Sequence, residues 1–231
     1  MHTGAEGTMF CVANTDTRVR APFFAVVCGQ TMSGKSHYVF KLIKYADLMI
    51  SKPVQRIVYC YGAWQPAFDD LKNIELIRGV DRLLSSEDFF DPKQHTLLIL
   101  DDLADEISKS SKASKLFTQG IHHLNVSVIF ITQNLYKQGK SMRDIHLNCQ
   151  YLVLFRNCRD VNQIKTLSRQ MGLPHLPEAY ERATSEQYEP LVIDMQSNTP
   201  NYLRLRSHIM PDQYTRLYVK DSLPCRKTCE N

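Results

Sequence analysis

The feature that most constrains this chain is a phosphate-loop pattern, G-x-x-x-x-G-K-S, running from Gly29 to Ser36. It follows an apolar run, Pro22 to Cys28, that predicts a buried strand, and it precedes a segment with apolar residues at helical spacing. Glycines let the backbone curl until its N–H groups face an anion, and the helix N-terminus adds positive potential. The predicted nucleotide-binding residues are Gly29, Gln30, Thr31, Met32, Ser33, Gly34, Lys35 and Ser36.

Within this loop two side chains have separate predicted roles. Lys35 reaches the β- and γ-phosphates of the nucleotide, and the hydroxyl of Ser36 holds Mg²⁺. A glycine-rich turn with an exposed lysine is the alternative interpretation, but a preceding strand and a following helix favour phosphate binding.

The rest of the chain alternates apolar strands with helical segments. Further predicted strands are Arg56–Tyr61, Ile74–Ile77, Thr96–Leu100, Val126–Ile131, Tyr151–Phe155, Leu191–Ile193 and Tyr202–Leu205, and predicted helices span Lys35–Ile50 and Asp160–Met171. This alternation predicts an α/β fold of the P-loop NTPase kind, with three α/β/α layers around a mostly parallel central sheet. We expect an additional strand, Arg56–Tyr61, between the strands that carry the phosphate loop and the acidic motif described next.

Two carboxylates, Asp101 and Asp102, follow the strongly apolar strand Thr96–Leu100. A carboxylate at such a strand end can anchor Mg²⁺, and an adjacent one can orient and deprotonate an attacking water. We assign Asp101 to the metal and Asp102 to the water. Asp102 could instead cap the next helix, in which case Asp105 or Glu106 would be the base.

Polar and basic residues further along the chain are candidates for contacts with the γ-phosphate. Gln133, just after the strand Val126–Ile131, is predicted to contact the γ-phosphate or the attacking water, with Asn134 as second choice; a turn or helix cap is the alternative. Arg143 is the first candidate for an arginine that stabilises transition-state charge, followed by Arg159 and Arg169. Taken individually, each of these arginines fits an ordinary surface residue better than a catalytic one.

Charge and cysteine content narrow the class of protein. The 231 residues carry a net charge of +4, but the basic segment, Lys137–Arg169, holds seven basic residues against two acidic ones. Such a segment fits a phosphate-backbone contact or a solvated helix face. No apolar run reaches the roughly 18 residues of a membrane-spanning helix. The seven Cys contain no C-x-x-C pair, which argues against a zinc ribbon or redox pair. Four of them lie in or beside apolar runs and are expected to be reduced, mostly buried thiols. The first six residues lack the basic and apolar regions of a signal peptide, so we expect an intracellular protein.

Taken together, these segments resemble the viral genome-packaging ATPases of the HerA–FtsK superfamily, in particular the poxvirus-type branch found in large DNA viruses and Polinton/Maverick elements. The resemblance covers about residues 20–210. Its motifs are Gly29–Ser36, Leu97–Asp102, His122–Ile129, Thr132–Leu135, Lys137–Lys140, Leu147–Asn148 before Tyr151–Phe155, Asn157–Asp160 and Arg169–Met171.

The resemblance implies an ATP- and Mg²⁺-dependent ATPase that forms a ring-shaped homo-oligomer and drives double-stranded DNA into a preformed capsid. It also implies contacts with capsid or portal-vertex proteins, no membrane association, and a location in the host nucleus, a cytoplasmic virus factory or the virion. Lys35, Ser36, Asp101, Asp102 and Gln133 match the family's catalytic positions by motif. Many members have Asp-Glu where this chain has Asp101-Asp102, and the shorter side chain reaches less far.

The chain is expected to form one folded domain with an extension at each end, and some other functions of phosphate-loop proteins do not fit it. We expect a flexible N-terminal arm at 1–20, a P-loop ATPase domain at 21–210 and a C-terminal tail at 211–231. A viral nucleoside kinase would carry a Cys-rich zinc lobe, and a GTPase would carry a base-reading N-K-x-D motif; Asn157–Asp160 lacks the lysine. A DNA helicase and a nucleotide-bound assembly factor that does not hydrolyse ATP stay open.

Overall fold

The computed structural model describes residues 9–11, 16–85, 88–110, 112–113, 116, 123–135, 148–158 and 161–220. Its strands are β1 (Met9–Cys11), β2 (Phe24–Cys28), β3 (Arg56–Tyr61), β4 (Glu75–Arg78), β5 (Thr96–Asp101), β6 (Val126–Thr132), β7 (Tyr151–Leu154), β8 (Leu191–Asp194), β9 (Leu205–Ser207) and β10 (Arg216–Tyr218). Its helices are α1 (Lys35–Lys44), α2 (Ala46–Met49), α3 (Asp81–Ser85), α4 (Ala104–Lys109), α5 (Val161–Met171) and α6 (Leu176–Ala183), with 3₁₀ turns at Pro66–Asp70 and Asn201–Leu203.

All the described strands belong to one mixed sheet with the order β1-β10-β9-β8-β7-β2-β6-β5-β3-β4. The run from β7 to β4 is parallel, whereas β8, β9, β10 and β1 pair antiparallel. Strands β2, β5, β6 and β7 are buried along their whole length, as continuous apolar strands are when helices cover both faces of a sheet. The predicted α/β fold with a mostly parallel sheet is confirmed.

Side chains that alternate along the central strands pack into two separate hydrophobic clusters, one on each face of the sheet. Val26 and Leu98 belong to the first cluster, and their neighbours Val27 and Ile99 belong to the second. Helices α1 and α2 pack against the second cluster, while α3, α4, α5 and α6 contribute to the first. The three layers follow from this double burial.

Along the chain, the additional strand between the two motif-bearing strands is β3 (Arg56–Tyr61), as predicted. In the sheet, however, β6 lies between β2 and β5, and β3 pairs on the other side of β5. The register pairs Cys28 with Thr132 and Asp101 with Ile131. Because β2, β6 and β5 are parallel, their carboxyl ends meet at one edge of the sheet. The segments that follow the three strands therefore converge there.

Besides shifts of one or two residues at strand ends, two predicted elements are divided differently in the structure. The predicted helix Lys35–Ile50 is broken at Tyr45, whose backbone is not helical (φ −106°, ψ 21°), and Ile50 is extended and bridges Val19. The predicted strand Tyr202–Leu205 is a 3₁₀ turn followed by β9, because the turn beginning after Pro200 delays the strand until Leu205. Helical and alternating patterns overlap in such short segments, so the sequence does not separate them.

Segments near both chain ends join the sheet. Strand β1, within the predicted arm, pairs with β10, within the predicted tail, and β10 pairs in turn with β9. The division into arm, domain and tail stays a prediction, but the sheet crosses both of its boundaries. None of the helices in the described ranges is long and apolar enough to cross a bilayer.

Candidate active site

A cleft of about 550 Å³ opens at the carboxyl edge of the parallel strands. Open α/β sheets bind ligands at this edge. It is lined by Thr31–His37, Gln65, Asp101, Asp102, Ile131–Gln133 and Tyr188. Most of the phosphate loop, both aspartates and Gln133 therefore share one cleft.

The phosphate loop holds its lysine by its own carbonyl groups. Lys35 Nζ donates hydrogen bonds of 2.8 Å to the carbonyl oxygens of Gly29 and Gln30. Burial lowers the pKa of Lys35, while the nearby carboxylates of Asp101 and Asp102 oppose that shift. An ammonium group has three N–H donors, so one remains for a phosphate oxygen.

Two glycines let this loop fit between its neighbours. A Cβ at Gly29 would lie 2.6 Å from Cβ of Phe155 and 2.7 Å from Oγ of Ser33. Gly34 has φ +98°, and a Cβ there would lie 3.0 Å from Cδ1 of Tyr188. The loop thus lies between Phe155, which follows β7, and the ring of Tyr188. A side chain at Gly29 or Gly34 would push the loop away from these neighbours.

The two aspartates have different surroundings. Asp101 is only 6% exposed and accepts a 2.7 Å hydrogen bond from the hydroxyl of Tyr59. Burial raises the pKa of Asp101, and the Tyr59 hydroxyl lowers it in part. Asp102 is exposed and adopts a left-handed backbone (φ +58°), a conformation that Asp tolerates better than most residues.

The alternative roles for the acidic segment are less compatible with this geometry. Helix α4 has Leu103 as its N-cap residue and no side-chain cap hydrogen bond, so Asp102 does not cap it. Asp105 and Glu106 lie exposed on α4 and do not line the cleft. Asp102 is thus better placed than either of them to meet a water in the cleft.

Gln133 and Asn134 diverge after β6. Gln133 is exposed at the cleft, and its Oε1 accepts a long, 3.3 Å hydrogen bond from the hydroxyl of Thr31. Asn134 Oδ1 accepts from Nε2 of Gln163 on α5, and its backbone N–H donates to the hydroxyl of Thr132. Asn134 therefore belongs to the predicted turn, whereas Gln133 remains available to a ligand.

The structure describes only one of the three candidate arginines, Arg169. Arg143 and Arg159 lie outside the described residues, as do Lys137 and Lys140 of the basic segment. Arg169 lies on α5, where its Nε donates to the carbonyl of Lys165, and it does not line the cleft. Among the described lining residues, Lys35 is the one Lys or Arg.

Three residues of this region were missed by the sequence reasoning: Tyr59, Gln65 and Tyr188. Tyr59 lies inside an apolar strand, where its hydroxyl cannot be distinguished by pattern from a core aromatic. Gln65 and Tyr188 lie in turns with no motif around them. Only the folded chain brings these residues to the phosphate loop and Asp101.

A family comparison matches the central part of the chain. Residues 72–174 match the model of a family described as Poxvirus A32 protein. That segment contains β5, which ends at Asp101, the adjacent Asp102, β6 with Gln133 following, and the basic segment. The resemblance drawn from the sequence motifs is thereby confirmed for residues 72–174, which do not include the phosphate loop. A comparison with curated proteins finds no match.

Solved structures of viral packaging proteins have the same fold. The crystal structure of B204, the DNA-packaging ATPase from Sulfolobus Turreted Icosahedral Virus, has a TM-score of 0.57 at 17% identity, covering 77% of this chain and 95% of that one. The genome packaging NTPase B204 from Sulfolobus turreted icosahedral virus 2 matches with TM-score 0.52 in its ATP-gammaS complex, at 16% identity over 80% of this chain and 96% of that one. Its sulfate complex matches with TM-score 0.54, at 15% identity over 80% and 95% of the two chains. At these identities the likeness establishes the P-loop NTPase fold.

Proposed function

We propose that this chain, a P-loop protein whose central part matches the poxvirus A32 protein family, is an ATP-hydrolysing motor that packages double-stranded viral DNA into a preformed capsid. The observation that carries the proposal is the single cleft in which Lys35, Asp101, Asp102 and Gln133 meet at the carboxyl ends of three parallel strands. The family match over the acidic strand and the basic segment supports packaging over other P-loop activities.

The loop and α1 supply the positive potential for the phosphates. Backbone N–H groups of the curled loop and the N-terminus of α1 face the anion, and Lys35 donates its remaining N–H to the β- and γ-phosphate oxygens. The partial burial of Lys35 strengthens this interaction, because the local dielectric is lower than that of water.

Asp101 and Ser36 fit Mg²⁺. One oxygen of the buried Asp101 carboxylate accepts from Tyr59, which leaves the other for the metal or a water bound to it. Mg²⁺ in nucleotide sites is usually bound by one or two carboxylates together with the phosphates of the nucleotide. Such a site needs no cluster of three His, Cys, Asp or Glu side chains, and the described residues contain none. Bound there, Mg²⁺ would neutralise phosphate charge.

Hydrolysis requires that a water be oriented and deprotonated. The exposed carboxylate of Asp102 accepts the proton of the attacking water, and the amide of Gln133 orients that water or the γ-phosphate. We assign the charge of the transition state to an arginine from a neighbouring subunit of a ring-shaped homo-oligomer, with Arg143 as first candidate.

We propose that DNA is moved by basic residues that belong to the part of the chain that the structure does not describe. Lys137, Lys140 and Arg143 of the basic segment are proposed to face a channel and to contact the phosphate backbone, which makes binding independent of sequence and steeply dependent on salt. We further propose capsid or portal-vertex proteins as partners, and the host nucleus, a cytoplasmic virus factory or the virion as location.

Steady-state ATP hydrolysis with and without duplex DNA tests the proposal. Wild-type turnover should rise with DNA, and Lys35→Ala should reduce it on the order of 100-fold or more. Lys44→Ala is the matched control, because Lys44 is an exposed lysine at the other end of the same helix. Nucleotide binding without turnover, with or without DNA, would contradict the motor and favour an assembly factor. Unwinding of forked DNA would favour a helicase.

A further inference from the structure

A second cleft of about 360 Å³ lies on the other side of the phosphate loop from the aspartates. Its walls are Gln30–Ser33, the segment after β7 at Phe155, Arg156 and Cys158, and the loop Thr184–Glu189. Its volume falls within the range of small-molecule sites, roughly 300–1,000 Å³. Thr31, Met32, Ser33 and Tyr188 line both clefts, so the two clefts adjoin at the loop.

Tyr188 lies where the two clefts meet. Its ring lies beside Gly34, where an added Cβ would come within 3.0 Å of Cδ1, yet 58% of the residue is exposed. Its backbone is left-handed (φ +66°), which is unfavourable for an aromatic residue. An aromatic ring held in a strained conformation, with much of its surface free beside a phosphate loop, is placed to stack on a flat ligand group.

The flanks of Tyr188 are anchored to the antiparallel part of the sheet. Glu189 accepts from the backbone N–H of His208 at 2.8 Å and from Nε2 of Gln213 at 3.1 Å. Glu186 hydrogen-bonds Nε2 of His208 at 2.9 Å and pairs with Arg216. Tyr188 is therefore held in place by both sides of its own loop before any ligand binds.

We propose that the second cleft takes the base of the bound nucleotide and that Tyr188 stacks on that base. This inference rests on the proposed binding of a nucleotide at the phosphate loop. The phosphates occupy the first cleft, and the nucleoside crosses the loop beside Tyr188 into the second. The aromatic face contributes affinity for the base, whereas Lys35 and the loop contribute affinity for the phosphates.

Calorimetric titrations of wild type, Tyr188→Ala and Tyr188→Phe separate these two contributions. Each is titrated in Mg²⁺ with a non-hydrolysable ATP analogue and with inorganic tripolyphosphate, which has no base. Tyr214→Ala is the matched control, because Tyr214 is 86% exposed and lines neither cleft. We expect Tyr188→Ala to bind the analogue roughly 10-fold more weakly and tripolyphosphate unchanged. Tyr188→Phe and Tyr214→Ala should match wild type.

Equal weakening of both ligands by Tyr188→Ala would mean that the ring only supports the loop and would overturn the proposal, as would no weakening at all. A second experiment uses the wild-type protein, so it tests the proposal even if Tyr188→Ala does not fold. Cys158 is an exposed thiol in the second cleft, whereas Cys28 and Cys149 are buried. The analogue should protect Cys158 from alkylation, followed by peptide mass spectrometry, and tripolyphosphate should not.

Absence of Cys158 protection at a saturating analogue concentration, or a wild type that does not bind the analogue, would also overturn it. Both experiments measure binding alone. Absence of DNA-stimulated hydrolysis in the wild-type protein would contradict the motor function, but it would not bear on the proposed base site. Weaker binding of the ATP analogue alone in Tyr188→Ala would be no evidence for or against DNA movement.

Discussion

Removing the hydroxyl of Tyr59 tests whether Asp101 is held as a buried carboxylate. Tyr59→Phe keeps the ring, which packs against Phe40 and Phe68, and deletes only the 2.7 Å hydrogen bond to Asp101 Oδ2. A hydrogen bond to a charged group contributes about 1.5–3 kcal/mol, and its loss leaves a carboxylate that is 6% exposed without this donor. We therefore expect the free energy of unfolding to fall by about 2 kcal/mol at neutral or higher pH.

The loss should depend on pH, and its direction follows from the pKa of Asp101. Burial already raises that pKa, and deleting the donor raises it further. Since an Asp with a raised folded-state pKa binds its proton more tightly when folded, the ionised form is the destabilising one. The cost of Tyr59→Phe is therefore largest at high pH and shrinks as Asp101 becomes protonated.

Urea denaturation of wild type and variant at about pH 8 and about pH 5 measures both effects. At the higher pH the melting temperature should also fall by roughly 4–8 °C, from about 2–4 °C per kcal/mol for a chain of this size. Tyr61→Phe, on the same strand and half-buried, is the control and should change stability by less than about 0.5 kcal/mol. An equal loss at both pH values, or no loss at the higher one, would refute the reasoning.

Three further changes probe the packing around the site and the sheet. Gly29→Ala should lower the free energy of unfolding by about 2 kcal/mol and weaken nucleotide binding, because the new Cβ meets Phe155 at 2.6 Å. Arg206→Met should cost about 3–5 kcal/mol in chemical denaturation, because it leaves Asp194, with a side chain 5% exposed, as an unpaired buried charge. Burial lowers the pKa of His95 from its ordinary 6.5, so stability should be lost as pH falls through that value, and His95→Gln should flatten this part of the pH–stability curve.

Each of these predictions has a control or an outcome that contradicts it. Gly172→Ala introduces positive-φ strain (φ +64°) with no neighbour within 4 Å, and should cost only about 1 kcal/mol. Arg182→Met breaks an exposed ion pair and should change stability by less than about 0.5 kcal/mol. If Gly29→Ala or Arg206→Met costs no more than its control, the packing or charge argument fails. An unchanged pH–stability curve in His95→Gln would contradict the third prediction.

Much of the site could be predicted because its signals are local. The eight-residue loop pattern indicates a strand before the loop and a helix after it. In the same way, the apolar run before Asp101 indicates the strand that ends at this residue. The choice between Gln133 and Asn134 depends on side-chain directions after β6, which the sequence does not encode; in the folded chain Asn134 contacts α5, and Gln133 stays the predicted contact of the γ-phosphate. The break at Tyr45 was not predictable, because apolar residues continue at helical spacing on both sides of it.

The sequence by itself determined that this chain has a phosphate loop opening a helix and an acidic strand end, since both depend on residues that are neighbours along the chain. Only the tertiary structure decided that β6 separates β2 from β5, that Tyr59 donates to Asp101 and that Tyr188 packs on Gly34. These contacts join segments far apart in sequence. Their partners are selected by the packing of the whole sheet and its covering helices, which no short pattern encodes.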